Sequence, residues 1–292
     1  MNAAVGMSTS TKEEQSPSKA LQRAMLRKGD EFRAQHPWLI RQQDQIGLTI
    51  FLVSSLAIVV NAVAFGLGSW PAWCAILMAA FWMSILHELE HDLIHYMYYR
   101  KNPFMHNLMM AGVWLFRPST ISPWVRRSLH LHHHKVSGTS ADIEERGITN
   151  GVAWGLKRLL MMGDHMLSIY LRPLDTLRMM RAYLRSQEPL STAERRRIIR
   201  ANLLAYFPLG MLHYALWHGW VLWHAFKWMA TAIGHAPELS AMQLHLESTV
   251  DFLAVVLLMP NVLRVFCLHF VSSNMHYYGD VEPGNVVQQT QV

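Results

Sequence analysis

Long apolar runs without charged residues constrain the possible folds of this chain more than any other feature of its sequence. From Ile46 to Trp70 there is no charged residue, and this run is long enough to cross the roughly 30 Å hydrocarbon core of a bilayer. Pro71 follows a glycine-containing stretch and predicts a tight turn. Only 16% of the residues are charged, compared with about a quarter in soluble domains. The sequence therefore predicts a membrane protein.

Three further apolar runs predict three more membrane helices. The first, residues 72–86, is short for a span, so we expect its helix to continue through the histidines that follow and to leave the membrane near Arg100. The other two runs cover residues 201–230 and 249–271. A shorter run, residues 104–116, predicts a buried or interfacial helix. The expected fold is an all-α membrane protein with about four transmembrane helices in two hairpins and a helical cytoplasmic region.

Positive charge is distributed unevenly along the chain. Of the 26 lysines and arginines, all except Lys227 and Arg264 lie in residues 1–45 and 100–200. The positive-inside rule then predicts that both termini and the histidine clusters described below are cytoplasmic. The net charge of +6 is explained by this orientation signal, so no nucleic-acid partner is expected. Five segments follow: a polar basic N-terminus (1–45), a first transmembrane hairpin (46–99), a cytoplasmic region (100–200), a second hairpin (201–271) and a cytoplasmic tail (272–292).

Cysteines and signal segments add little further information. Cys74 and Cys267 both lie in apolar runs, so neither a disulfide framework nor a thiolate metal site is expected. The first 45 residues are polar and have no short apolar core followed by small residues, so no cleaved signal peptide is expected. We expect the first membrane helix to serve as the insertion signal.

The first histidine cluster lies in the segment HELEHDLIH. His87, His91 and His95 are four residues apart, so on a helix they share one face, with the outer two about 12 Å apart. Two imidazoles at positions i and i+4 can bind one metal ion. The alternative is a polar helix end whose histidines face the membrane interface. Three histidines in phase favour the metal site.

The second cluster is an H-x-x-H-H segment formed by His130, His133 and His134. Positions i and i+3 share a helix face, and the adjacent histidine can reach a second ion. This spacing suits two metal ions bridged by one short segment, although short motifs also arise by chance. The alternative is a histidine-rich surface loop. We expect His132 to point away from the site.

A weaker pattern lies at the end of the last apolar run. His276 is flanked by Asn274 and Tyr277-Tyr278-Gly279 and is a candidate ligand, whereas His269 is interpreted as an interfacial residue. Imidazole is a good ligand for iron, zinc and copper, and ligand softness alone does not choose between them. A tetrahedral zinc ion has four ligands, so a cluster of at least six histidines predicts two ions. The histidines of the third apolar run are interpreted as packing or interface residues: His213, His218 and His224.

These clusters resemble the histidine boxes of the membrane fatty acid desaturase and hydroxylase superfamily. The first box, H-[D/E]-x-x-H, fits His87–His91 and His91–His95. We favour the second register because Tyr99-Arg100 resembles the aromatic-basic pair that often follows that box, and because the interval to His130 is closer to the family spacing. The second box matches His130, His133 and His134, after Pro123-Trp124. His276 resembles an additional ligand of some members, with Ser272 where those members have asparagine.

The resemblance implies a di-iron centre that uses O₂ to desaturate or hydroxylate a fatty acyl or lipid chain. Electrons would come from a separate protein of ferredoxin or cytochrome b5 type. The family's third box, another H-x-x-H-H, has no match before Val292. The chain is then either a fragment of a longer protein or a divergent member with an incomplete site, and we expect a fragment.

Two other functions remain open at this point. His87-Glu88-Leu89-Glu90-His91 also fits H-E-x-x-H, the zinc protease signature in which Glu88 would be the base. An intramembrane metalloprotease would leave His95 and the second cluster unexplained. The other possibility is a non-catalytic family member without a full metal site.

Overall fold

The computed structural model describes residues 17–137 and 139–275, and every regular element in these ranges is helical. His276 and the tail that follows it lie outside the described residues. In chain order the helices are α1 (Pro17–Gln35), α2 (Pro37–Arg41), α3 (Gln43–Gly66), α4 (Ala72–Ile94), α5 (Pro103–Leu115), α6 (Pro123–Val136), α7 (Ile143–Arg146), α8 (Leu156–Gly163), α9 (His165–Tyr170), α10 (Pro173–Ser186), α11 (Thr192–Leu203), α12 (Leu209–Ala232), α13 (Ala241–Leu253) and α14 (Met259–Met275).

Three helical segments are long and apolar enough to cross a membrane. They are α3, α4 and the continuous segment Ala241–Asn274, in which a π-helical turn at Ala254–Leu258 joins α13 to α14. This confirms the all-α membrane fold. The predicted third span corresponds to α12. This helix is as long as α3, 24 residues, but it is not among the three candidate membrane spans. Its histidines reduce its apolar character, so the predicted total of four is approximate.

The first hairpin turns where the sequence predicts it. Gly68 has a φ of +72°, a backbone conformation that favours glycine, and α4 begins directly after Pro71. The predicted continuation of α4 through the histidines is confirmed for His87 and His91, but the helix ends at Ile94 rather than near Arg100. Tyr96 and Tyr99 have φ values of 56° and 50°, which are incompatible with a continuing right-handed helix.

The last membrane segment begins earlier than predicted. Its helix begins at Ala241, whereas the apolar run alone placed the start at residue 249. Ser240 and Gln243 form a capping box at its N-terminus, and this local signal precedes the apolar run. The connection from α12 is therefore short.

The apolar core holds the first hairpin against α5. Its fully buried side chains come mainly from α4 and α5, including Met83, Leu86, Leu93, Met110 and Val113. The predicted buried or interfacial helix over residues 104–116 corresponds to α5, which buries His106, Met109, Met110 and Val113. This core places the C-terminal end of α4 beside α6, where the two histidine clusters meet.

Candidate metal centre

Four imidazoles converge between the end of α4 and α6. They belong to His91, His95, His130 and His134, and one ligand nitrogen of each lies within 4.8 Å of the others. The Nε2 atoms of His95, His130 and His134 form a triangle with sides of 3.1, 3.1 and 3.2 Å. Nitrogens that bind one ion at about 2.0–2.1 Å are about 3 Å apart. The triangle therefore has the dimensions of three ligands on one ion.

Arg127 on α6 fixes this helix against the end of α4. Its guanidinium donates to the carbonyl oxygens of Leu93 at 2.9 Å and Ile94 at 3.1 Å, and it lies 3.9 Å from the centre of the Tyr96 ring. The last carbonyls of a helix lack partners within the helix and attract a cation. Arg127 therefore satisfies the end of α4 and brings His95 close to α6.

Two carboxylates orient the histidines of α6. The Nδ1 atom of His130 lies 2.9 Å from Oε2 of Glu144, and Nδ1 of His133 lies 2.9 Å from Oδ2 of Asp142. A carboxylate at Nδ1 holds the proton there, so Nε2 becomes the ligand nitrogen. Sequence reasoning missed both carboxylates. The acidic segment around α7, whose N-cap is Asp142, is the signal that could have identified them.

The two adjacent histidines of α6 differ in their protonation. Burial and the neighbouring imidazoles lower the pKa of His134 to about 4, so its ring is neutral near pH 7. Burial also opposes charge on His133, but the hydrogen bond to Asp142 raises its pKa to about 9. His133 must therefore lose a proton before it can bind a metal ion.

Glu144 is ionised despite its burial. Burial alone would raise its pKa, but the hydrogen bond from His130 and the nearby Arg126 guanidinium lower it to about 2. Arg126 lies 3.4 Å from Glu144 and 3.4 Å from the fully buried Glu90. One guanidinium thus joins a carboxylate of α4 to the carboxylate that orients His130.

His87 is separated from this group. Its Nδ1 atom lies 2.9 Å from a guanidinium nitrogen of Arg117, which forms a buried ion pair with Glu90. Residues spaced by four advance around a helix by more than one turn, so His87 and His95 are about 80° apart around the axis. Glu88 is exposed. The converging group therefore contains His91 and His95 of the second register of the first box and does not include His87.

The other singled-out histidines have separate partners. Nε2 of His132 lies 2.9 Å from Oγ of Ser186, and its ring contacts the Tyr183 ring, so it points away from the group, as predicted. His269 is buried, and its Nδ1 lies 2.9 Å from the carbonyl oxygen of Met162. Ser272, one turn before the candidate His276, donates to Glu145 at 2.8 Å.

Comparison with known proteins identifies the family. A family model described as Fatty acid desaturase matches residues 67–292, a region that includes α4, α6 and all four histidines of the converging group. No curated protein and no solved structure matches the chain. The family match covers more than half of the chain and agrees with the resemblance in the histidine boxes. The chain belongs to the fatty acid desaturase family.

Proposed function

We propose that the chain is a membrane-bound oxidoreductase that uses two iron ions and O₂ to desaturate or hydroxylate a fatty acyl or lipid chain. The triangle of Nε2 atoms from His95, His130 and His134 is the observation that supports this proposal most directly. It lies at the end of a candidate membrane helix, within the region that matches the family.

The donor set is compatible with iron. Four converging imidazoles, with the Glu144 carboxylate behind His130, are a ligand environment suited to divalent iron. His91, His95, His130 and His134 are the proposed ligands of one ion. His133, oriented by Asp142, and His276, which lies outside the described residues, are the proposed ligands of the second.

Bound iron would supply an oxidant. For desaturation, O₂ takes two electrons from a donor protein, two protons from solvent and two hydrogen atoms from adjacent carbons, and leaves as two water molecules while the C=C bond forms. The residues of this chain would hold the ligands in place. Glu144 would keep a proton on Nδ1 of His130, and Asp142 would do the same for His133. Arg127 would hold α6 against α4.

Both proposed partners fit exposed surfaces. The membrane helices expose apolar side chains such as Leu52, Leu56 and Phe81, so an acyl chain can approach from the lipid. Exposed arginines on α10 and α11 provide a basic surface for an acidic electron donor of ferredoxin or cytochrome b5 type: Arg178, Arg181, Arg185, Arg195, Arg196, Arg197 and Arg200.

Metal analysis of two histidine variants tests the proposal. We expect His134→Ala to lower bound iron and to abolish acyl oxidation, because it removes one corner of the Nε2 triangle. His132→Ala is the matched control on the same helix, since its ring contacts Ser186 and Tyr183, and it should retain both. The measurements are iron per chain and oxidised acyl product.

The outcomes separate the alternatives. About two irons per chain with a selective loss in His134→Ala supports the oxidoreductase. Equal losses in both variants would show that the proposed ligand register is wrong. A purified protein with no stoichiometric metal would support a non-catalytic family member instead.

A further inference from the structure

A second group of metal-ligating side chains lies between α12 and α13. One ligand atom from each of His224, Glu247 and Asp251 lies within 4.8 Å of the others. Glu247 and Asp251 are one turn apart on α13, and His224 faces them from α12. Asp251 lies about 30 Å along the same continuous helix from Ser272, so this group is remote from the candidate iron centre.

Each of the two carboxylates is held in place through one of its two oxygen atoms. Oδ1 of Asp251 accepts from Trp220 at 2.8 Å and lies 2.9 Å from Nε2 of His224. Oε1 of Glu247 accepts from Trp223 at 3.2 Å and from Lys227. Within residues 17–137 and 139–275, no hydrogen bond to the second oxygen of either carboxylate is found. Each carboxylate is thus held in place with one oxygen still able to bind a ligand.

An open cavity lies beside Glu247 and Asp251. It has a volume of about 320 Å³ and is lined by Trp220, Trp223, Glu247 and Asp251, among others. This volume is large enough for several water molecules, each of which occupies about 30 Å³ in the liquid. Protein ligands plus an open, water-filled position are typical of zinc bound by three side chains.

Charge at this end of the hairpin also favours a cation. Lys227 is the only lysine or arginine between Arg200 and Arg264, whereas Glu238, Glu247 and Asp251 lie in the same stretch. The Lys227 ammonium contacts Glu247 and neutralises only one of the two carboxylates in the group. A divalent cation that binds both would neutralise the remaining charge.

We propose that His224, Glu247 and Asp251 form a second metal site, of the Zn²⁺ class, that links α12 to α13. His224 is interpreted from the sequence as a packing or interface residue, and its contact with Asp251 gives it a more specific role. Nε2 of His224 lies 2.9 Å from Oδ1 of Asp251, so the imidazole and the Asp251 carboxylate are close enough to bind one ion together. Lys227 competes with the ion for Glu247.

Zinc titration of the full chain in lipid nanodiscs tests this site. Bound Zn²⁺ is measured by equilibrium dialysis for the wild type, Asp251→Asn and His224→Gln. We expect each variant to bind one Zn²⁺ ion fewer per chain, or to bind it at least tenfold more weakly. Lys227→Met should bind it several-fold more tightly, because the competing ammonium is absent.

A background variant separates this site from the candidate iron centre. His134→Ala should lose zinc at the histidine group between α4 and α6 but retain the ion at Asp251. Failure of the proposed oxidase function would therefore leave the result at Asp251 unchanged. If Asp251→Asn and His224→Gln bind as much Zn²⁺ as the wild type with equal affinity, the site does not exist. A lower melting temperature in these variants without any change in zinc would likewise overturn it, because the three residues would then act only as a polar contact between helices.

Discussion

At the scale of single residues, Glu144 is the most informative side chain to change. Its carboxylate holds Nδ1 of His130 at 2.9 Å, and removing such a partner of a ligand typically costs about 10–100-fold in metal affinity. We therefore expect Glu144→Ala to weaken iron binding by that factor. Competition against a chelator measures the affinity directly.

A surface glutamate provides the control for this experiment. Glu188 is paired with Arg195 on the exposed surface, so Glu188→Ala should leave iron affinity unchanged. An unchanged affinity in Glu144→Ala would show that the orientation of His130 does not depend on its carboxylate. The metal content of His134→Ala would still test the ligand itself.

Residue types and spacing predicted the imidazoles but not their partners. His130 and His134 were identified because H-x-x-H-H is a short local pattern on one helix. Glu144 and Arg117 were not identified, because their contacts with His130 and His87 join positions 14 and 30 residues apart. Such contacts depend on how α7 and the α5–α6 connection fold back on α4. Helical periodicity in the sequence carries no information about that folding.

At the scale of the helices, alanine substitutions of two glycines, one in α3 and one in α12, should have opposite effects on stability. A Cβ atom at Gly47 on α3 would lie 2.5 Å from the Tyr98 ring. This ring is buried, and its hydroxyl donates to Asp92 at 3.1 Å, so it has little freedom to withdraw. We expect Gly47→Ala to lower the free energy of unfolding by about 1–3 kcal/mol, as overpacking generally does.

Gly219 on α12 is the matched control. A Cβ atom there meets no atom within 4 Å, and alanine favours a helix over glycine by up to about 1 kcal/mol. Gly219→Ala should therefore leave the melting temperature unchanged or raise it. Equal melting temperatures for both variants would mean that α3 does not approach Tyr98 as closely as the structure indicates.

Apolar runs predicted the helices better than their ends. The cores of α3, α4 and the last membrane segment follow from hydropathy alone, since twenty or so uncharged residues have few other conformations in a bilayer. The end of α4 at Ile94 depends on the left-handed backbone of Tyr96 and Tyr99, and on the contact of Asp44 with the Tyr99 amide at 2.6 Å. No local pattern around Arg100 indicates that contact.

At the scale of the whole molecule, the distribution of positive charge predicts how the chain is oriented in the membrane. The lysine and arginine distribution predicts that residues 100–200 are cytoplasmic and that the α12–α13 connection is on the opposite side. Two single-cysteine positions test this, Glu188→Cys and Glu238→Cys, in a background without Cys74 and Cys267. A membrane-impermeant maleimide should label residue 238 in intact cells and residue 188 only after the membrane is permeabilised.

The orientation also determines which partners the two candidate metal sites can have. With residue 188 inside, the histidine group at the end of α4 is on the side of cytoplasmic electron donors, and the cavity beside Asp251 opens to the other side. Labelling of residue 188 from outside would reverse both assignments. Electron transfer from a cytoplasmic donor to the histidine group would then have to cross the bilayer, so this result would exclude the proposed donor while leaving the geometry of the site intact.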